Sequence, residues 1–313
     1  MFAYIVRRIL ATIPVMSVVA IFVFALLYLS PGDPAAIIAG DTATADDIAR
    51  IRAALGLDQP VYIQFGEWTW RLLRGDLGTS IFTNLPVTQL IAQRLEPTAA
   101  LTISTLIISV VVAIPMGVFA AWRAGSWLDR VVMVFAVLGF SVPVFVLAYI
   151  LIFVFAIWVN LLPVQGYVSI TRGFWPFLSH IILPSVALGM IFAALIARIT
   201  RASMLDVLAQ DYIRTAQAKG LSNEQVLIGH ALKNAAVPIV TIIGIGVALL
   251  IGGVVVTETV FAIPGLGRLT VDAILRRDYP IIQGIILIFS GAYVLVNLLV
   301  DLSYTLLDPR IRY

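Results

Sequence analysis

Six long apolar runs divide the chain, at roughly 9–29, 98–122, 131–157, 179–200, 234–258 and 281–305. Each is long enough to cross about 30 Å of hydrocarbon as a helix. Lipid offers no partner to an open backbone group, so all six are predicted to be transmembrane helices. Pro14, Pro115, Pro143 and Pro184 fall inside them, and with the many glycines they suit helices that bend and pack closely. The first run follows Arg7 and Arg8 and resembles a signal peptide. It is nevertheless long enough to span, and no small-x-small cleavage site closes it, so it is read as a retained first helix. The predicted fold is all-α and integral to the membrane.

Two interruptions stand out. The first, residues 30–97, lies between helices 1 and 2 and is predicted to be a small loop domain outside the membrane. Thr44 can cap a short helix there and Gly56 can end it. QFGEWTWRLLRGDLGTS follows, an amphipathic stretch with paired tryptophans. It reads either as a cap lying on the membrane surface or as a platform for an external partner. The second interruption is 201–233 within the 98–305 core, and a short polar tail, 306–313, closes the chain. Between the third and fourth runs, Trp158, Tyr167 and Trp175 look like interfacial anchors.

Composition agrees with this reading, since 61% of residues are apolar and only 12% charged, far from a soluble domain. Lysine and arginine set the orientation. With the amino terminus inside, 11 of the 20 basic residues face the cytoplasm, including Arg123, Arg130, Arg201, Arg214 and Lys219. Of the other nine, Arg50, Arg52, Arg71, Arg74 and Arg94 sit in the long 30–97 loop, which is exempt from the positive-inside rule. Both termini and the 201–233 interruption are therefore expected in the cytoplasm.

Several chemistries are disfavoured. With no cysteine there is neither a disulfide nor a thiolate metal site. A net charge of +3 without a basic run gives nucleic acid nothing to bind. His180 and His230 lie in different segments with no ligand-spaced partner, so no metal is expected, and they read as interfacial or capping residues. There is no nucleophile elbow and no phosphate-binding loop, so no catalytic residue is assigned and any ATP is bound by another chain. Arg198, Glu258 and Asp301 lie near span ends and no charge occupies a predicted midplane. That counts against an ion-coupled secondary carrier, the alternative reading, but not against a passive pore.

The stretch DYIRTAQAKGLSNEQVLIGHALKNAAVP, 211–238, is punctuated as two helices. Asp211 is an acceptable N-cap, Gly220 stands where a left-handed C-cap residue belongs, and Ser222 with Gln225 forms a capping-box pattern. Tyr212, Ala216 and Lys219 fall on one face, and the small Thr215, Ala216 and Ala218 would let another protein approach. An amphipathic helix resting on lipid headgroups is the competing reading.

These residues resemble the EAA loop of ABC-type importer permeases, roughly E-A-A, three residues, G, nine residues, I-x-L-P. Arg214, Thr215 and Ala216 fill the first three places, Gly220 falls at the glycine and Leu232 at the leucine. Arg214, Thr215, His230 and Lys233 depart from the consensus. The wording YIRTAQAKG…HALKNAAVP is similar to the variant found in dipeptide, oligopeptide and glutathione permeases. MFAYIVRRIL, SPGDP, LGLDQP, GDLGTS, TRASMLDVL, TETVFAIPGLGRLTVDAILRRDYP and DLSYTLLDPRIRY, in that order, extend the likeness over nearly the whole chain.

The resemblance implies six helices of the type I importer permease kind in a bacterial or archaeal inner membrane. It implies a second homologous permease as heterodimer partner, two ATP-binding subunits that carry ATP and Mg, and an extracytoplasmic solute-binding protein. No cofactor is expected in this chain, and the cargo is a small peptide or glutathione, with nickel and other small solutes open. A coupling helix at about 211–220 would present Tyr212, Arg214, Thr215, Ala216, Lys219, Gly220 and Leu221 to an ATPase. Ser141, Asn160, Thr241, Thr257 and Asn297 are candidates for the translocation path. Glu258, Pro264, Gly265, Gly267 and Arg268 are candidates for receiving the binding protein.

Overall fold

The computed structural model describes residues 2–29, 33, 35–36, 44–54 and 56–307. The SPGDP stretch apart from Asp33, and the tail after Leu307, lie outside the described residues. Helices account for nearly everything, and among the described residues the only β pairing is an isolated bridge between Thr79 and Pro86. The helices are α1 (Phe2–Leu29), α2 (Ala45–Ala54), α3 (Val61–Leu73), α4 (Val87–Trp122), α5 (Trp127–Ser141) and α6 (Val144–Leu151). They continue as α7 (Phe174–Leu208), α8 (Asp211–Ala218), α9 (Lys233–Val260), α10 (Leu266–Arg276) and α11 (Tyr279–Leu307). A wider, π-type turn, Ile152–Trp158, prolongs α6, and another, Gln225–Leu232, leads without a break into α9.

Five helical stretches are long and apolar enough to span. The third predicted run, 131–157, is present but broken: Trp127–Ser141 and Val144–Trp158 meet at 106°, which makes six spans if the bent pair is one. Pro143 explains the break. It lacks an N–H and pushes Val142 into extended backbone, with ψ of 121°. The second span also begins earlier than expected, at Val87, because Pro97 is absorbed inside α4.

The chain forms two compact units. In the unit made of 96–268 and 295 onward, α7 is the hub. Of its most apolar window 72% is buried, against 28% for α4 and for the stretch containing α9. It packs on α5, α6 and α9, and close approach is bought with glycine. An added Cβ at Gly117 would lie 2.7 Å from the Ala197 carbonyl oxygen, and one at Gly139 would lie 2.8 Å from the Ala194 Cβ. At the Gly189 crossing, the Ser109 hydroxyl donates to the Gly189 carbonyl at 3.0 Å. Small residues let membrane helices approach until backbones touch, and that contact replaces a hydrophobic driving force that lipid cannot supply. Thr241 of α9 and Tyr304 of α11 share a hydrogen bond of 2.8 Å.

The unit made of 2–95 and 269–294 joins segments far apart in sequence. The Ser80 hydroxyl donates to the buried Asp278 carboxylate at 2.6 Å, so GDLGTS and RRDYP meet directly. Gln283 donates to the Val23 carbonyl at 3.2 Å, and Phe24 packs against Phe65 and Trp68. Gly56 ends α2 as expected: it has φ of +67°, and Leu57 N–H reaches back to the Arg52 carbonyl at 2.9 Å.

Helix crossings at glycine predict opposite signs for one chemical change. Gly117→Ala should cost about 1–3 kcal/mol through overpacking. Gly252→Ala, whose Cβ would meet nothing within 4 Å, should be neutral or gain up to about 1 kcal/mol from helix propensity. Thermal unfolding of the detergent-purified chain checks both, and equal effects would contradict the packing account.

Candidate functional site

Helix α8 is short, and its seat explains why it forms at all. Isolated helices of this length are unstable in water, so the apolar Ile213 and Ala216, three residues apart, must be buried to hold it. They enter a small core with Val118, Ala121, Met204, Val226, Leu227, Ala231, Ala235 and Ile239. The ends of α4, α7 and α9 thus converge beneath α8. The expectation that Ala216 is presented to a partner is corrected, because it is buried and helps anchor the helix. Tyr212, Arg214, Thr215, Ala218 and Lys219 remain exposed. Partial burial raises the Tyr212 phenol above its ordinary pKa.

The punctuation of α8 is stricter at its end than at its start. Asp211 is the first helical residue rather than the N-cap. Gln210 holds that place with extended backbone and no side-chain bond, and Asp211 complements the positive helix end. Thr215 donates to the Asp211 carbonyl at 3.0 Å, while the Arg214–Asp211 pair at 3.5 Å is exposed and weak. At the other end Gly220 has φ of +82°. Its N–H reaches the Gln217 carbonyl at 2.9 Å, and Leu221 N–H reaches the Ala216 carbonyl at 3.3 Å. That pattern is a Schellman motif, and Leu221 packs into the same core as Ala216. Two residues on, the capping box is present: Ser222 N–H donates to the Gln225 side-chain oxygen at 3.0 Å, and Gln225 N–H to the Ser222 hydroxyl at 3.3 Å. Helix, turn and helix are therefore locked in one geometry.

A charge pair missed in the sequence fixes the base of this element. Arg201, on the last turns of α7, donates twice to Asp129, from Nε at 2.5 Å and from an η nitrogen at 2.8 Å. Asp129 also accepts the Gly125 N–H at 2.9 Å, and its own N–H is capped by Ser126 at 3.4 Å. The α4–α5 turn is thus clasped to the part of α7 that leads into α8. Bidentate, charge-assisted bonds of this kind fix orientation as well as position.

At the other end of α9, Glu258 was expected on a docking surface. Instead its side chain is fully buried, which takes it off any surface. Thr98 donates to one carboxylate oxygen at 2.5 Å and accepts the Leu266 N–H at 2.7 Å. The Arg268 backbone N–H donates to the other carboxylate oxygen at 3.0 Å. A carboxylate from α9 therefore sits at the positive amino end of α10, where it is favoured. Gly265 and Gly267, also buried, are explained by it. A Cβ at Gly265 would strike the Glu258 carboxylate, and one at Gly267 would lie 2.7 Å from the Val255 Cα. Of the five docking candidates only Pro264 is exposed, with Arg268 partly so. Nearby, the Tyr167 hydroxyl donates to Glu96 at 3.0 Å. Burial, then that carboxylate, pushes the phenol well above its ordinary pKa.

The path candidates are not gathered at one place. Ser141 is exposed beside the α5–α6 break and donates to the Val137 carbonyl. Asn160 is exposed in left-handed backbone, with φ of +53°. Thr241 is engaged with Tyr304, and Asn297 is half-buried on α11. Thr257 is buried and donates to the Gly253 carbonyl at 3.0 Å, so it packs rather than lines.

Five long apolar helices, one broken span and a polar helix pair are the features of a multi-pass membrane permease. Residues 113–313 match the binding-protein-dependent transport system inner membrane component family, and residues 1–102 match the N-terminal region of such components. The chain belongs to that family, and is a multi-pass inner-membrane permease subunit. It is 59% identical over 99% of both chains to a probable peptide ABC transporter permease protein of Sinorhizobium fredii. It is 47% identical over the full length of both to a putative peptide transport system permease protein of Brucella abortus. Over the same full lengths it is 45% identical to the glutathione transport system permease protein of Salmonella typhi. A crystal structure of an amino acid ABC transporter with histidines covers 69% of this chain and 92% of its own, at a TM-score of 0.48 and 18% identity.

Removing one member of the Asp129–Arg201 pair strands a buried charge. Arg201→Met should lower stability by about 3 kcal/mol or more, whereas Asp129→Leu with Arg201→Met should cost less than the single change. Thermal unfolding of the native protein, the single variant and the double variant checks this, and a double variant no more stable than Arg201→Met would contradict it.

Proposed function

We propose that this chain works beside a second, homologous permease, with two ATP-binding subunits on the cytoplasmic side and a solute-binding protein outside. Both termini are cytoplasmic in this reading, and ATP with its Mg is held and hydrolysed on the partner subunits. The cargo is a small peptide, of the di-, oligopeptide or glutathione kind, which the names of the peptide and glutathione relatives support.

The observation that carries the reading is the seat of α8. A helix of eight residues is anchored by Ile213 and Ala216, ended by a Schellman turn at Gly220, and followed by a capping box. Such an element transmits displacement, whereas a loose loop absorbs it. In this account ATP-driven closure of the ATPase dimer moves α8 through Tyr212, Arg214, Thr215 and Lys219. The motion passes into α7 and α9, and ATP closure favours the outward-facing state of an alternating-access cycle.

Gly220→Pro supplies the test, because proline fixes φ near −65° where the turn needs a positive angle. In the reconstituted complex the variant should retain its place in the membrane but lose most ligand-stimulated ATPase activity and transport. Unchanged transport, together with failure of any ATP-binding subunit to co-purify with the native chain, would overturn the coupling role.

A further inference from the structure

Helix α3 carries a second apolar face that the chain leaves uncovered. One stripe, Phe65, Trp68 and Leu72, is partly buried, and Phe65 and Trp68 pack on Phe24 of α1, with ring centroids 5.2 and 5.6 Å apart. The Tyr28 hydroxyl also donates to the Gln64 side chain, so α3 is pinned to the last two turns of α1. At about 100° per residue, a different sector of about 100° is filled by Tyr62, Leu73, Gly66, Trp70 and Ile63. Tyr62 and Leu73 are each 75% exposed and Trp70 is 57% exposed. Glu67 and Arg71 occupy the remaining side and are exposed.

Three neighbouring faces therefore point in three directions, toward α1, toward something apolar, and toward something polar. A helix in water has one apolar stripe, not two, and large apolar side chains gathered on one exposed face mark a binding surface. What covers this one follows from the pinning. The spanning window of α1 runs to Leu29, and α3 is fixed beside Phe24 and Tyr28, at the end of that window. On the same turns of α1, Ile21, Phe22 and Leu29 are themselves exposed, so the medium that covers them reaches α3. The chemistry of the face suits a membrane boundary. Tyrosine and tryptophan favour the headgroup level. The Arg74 guanidinium lies over the Trp70 ring, 4.6 Å from its centroid, where its charge can reach lipid phosphate while its stem covers apolar surface.

We propose that α3 is an interfacial helix, seated in the lipid headgroup region beside the end of α1. Its Tyr62–Ile63–Trp70–Leu73 face is immersed in the acyl boundary, and its Glu67–Arg71 edge is in water. The partner of this surface is the lipid bilayer itself. The segment thereby fixes the depth and tilt of α1 at that membrane face, independently of what the transporter carries.

The chain contains no cysteine, so single cysteines introduced by Tyr62→Cys, Leu73→Cys and Glu67→Cys can each carry one nitroxide label without further engineering. The full chain is reconstituted into vesicles of phosphatidylcholine and phosphatidylglycerol. Collisions with lipid-soluble oxygen and with a water-soluble nickel chelate are then measured by electron paramagnetic resonance. The expected ratio of oxygen to nickel accessibility is above one at 62 and 73 and below one at 67. Nickel dominating at all three positions makes α3 a solvated cap. Low accessibility to both reagents at 62 and 73 makes the face a protein contact. Either outcome overturns the proposal. Each label lies on an exposed position, so a label that unfolds the chain, seen as loss of helical circular dichroism, also contradicts the assigned surface.

Discussion

The close contact between α7 and the backbones of its neighbours is the constraint on which the larger unit depends. Lipid tails are as apolar as leucine, so helices in a bilayer gain little from hiding apolar surface and must gain from contact. Gly117, Gly139 and Gly253 on its neighbours, and Gly189 on α7 itself, supply that contact by removing a side chain at the crossing. Once α7 is held along its length, its last turns emerge at a defined place. There Arg201 grips Asp129 and the α4–α5 turn, and the small core beneath α8 closes. The position of α8 is thus inherited from packing inside the membrane.

The opposite end of α9 uses a different device for a similar purpose. A fully buried carboxylate, Glu258, gathers Thr98 of α4 and the first N–H groups of α10. Buried charge is costly unless its oxygens are satisfied, and here the peptide groups of a helix terminus help to satisfy them. The sequence PGLG follows from that arrangement, since neither Gly265 nor Gly267 has space for a side chain. The ends of α9 and α10 turn left-handed without glycine, at Ala262 and Arg277. They are held by the same six-to-one bonds that Gly220 uses, Ile263 to Glu258 and Asp278 to Ala273.

What could be read in advance was whatever is local. Apolar period and length located the spans, and glycine and serine punctuation located the turns at Gly56 and Gly220 and the box at Ser222–Gln225. What escaped depends on residues distant in sequence. Asp129 and Arg201 are 72 positions apart, and Ser80 and Asp278 are 198 apart, so neither pairing leaves a local pattern. Ala216 looked presentable because its spacing from Tyr212 and Lys219 defines a face, but which face turns inward is set by Ile213 and the core it enters. Glu258 looked like a surface charge because charged residues rarely go fully buried. Only the fold around it reveals the helix terminus that receives it. Pro143 was visible as a bend, yet the size of the bend belongs to packing.

The central claim is that the exposed side of α8 is the surface on which an ATPase acts. Its most direct test places a photo-activatable cross-linker on Tyr212→Cys in the otherwise cysteine-free chain, within the assembled complex in native membranes. The same reagent on Leu275→Cys, an exposed position on α10, serves as control. The account predicts a covalent adduct with an ATP-binding subunit from position 212, changed in yield by ATP, and none from 275. An absent adduct at 212, or equal capture from both positions, would contradict it.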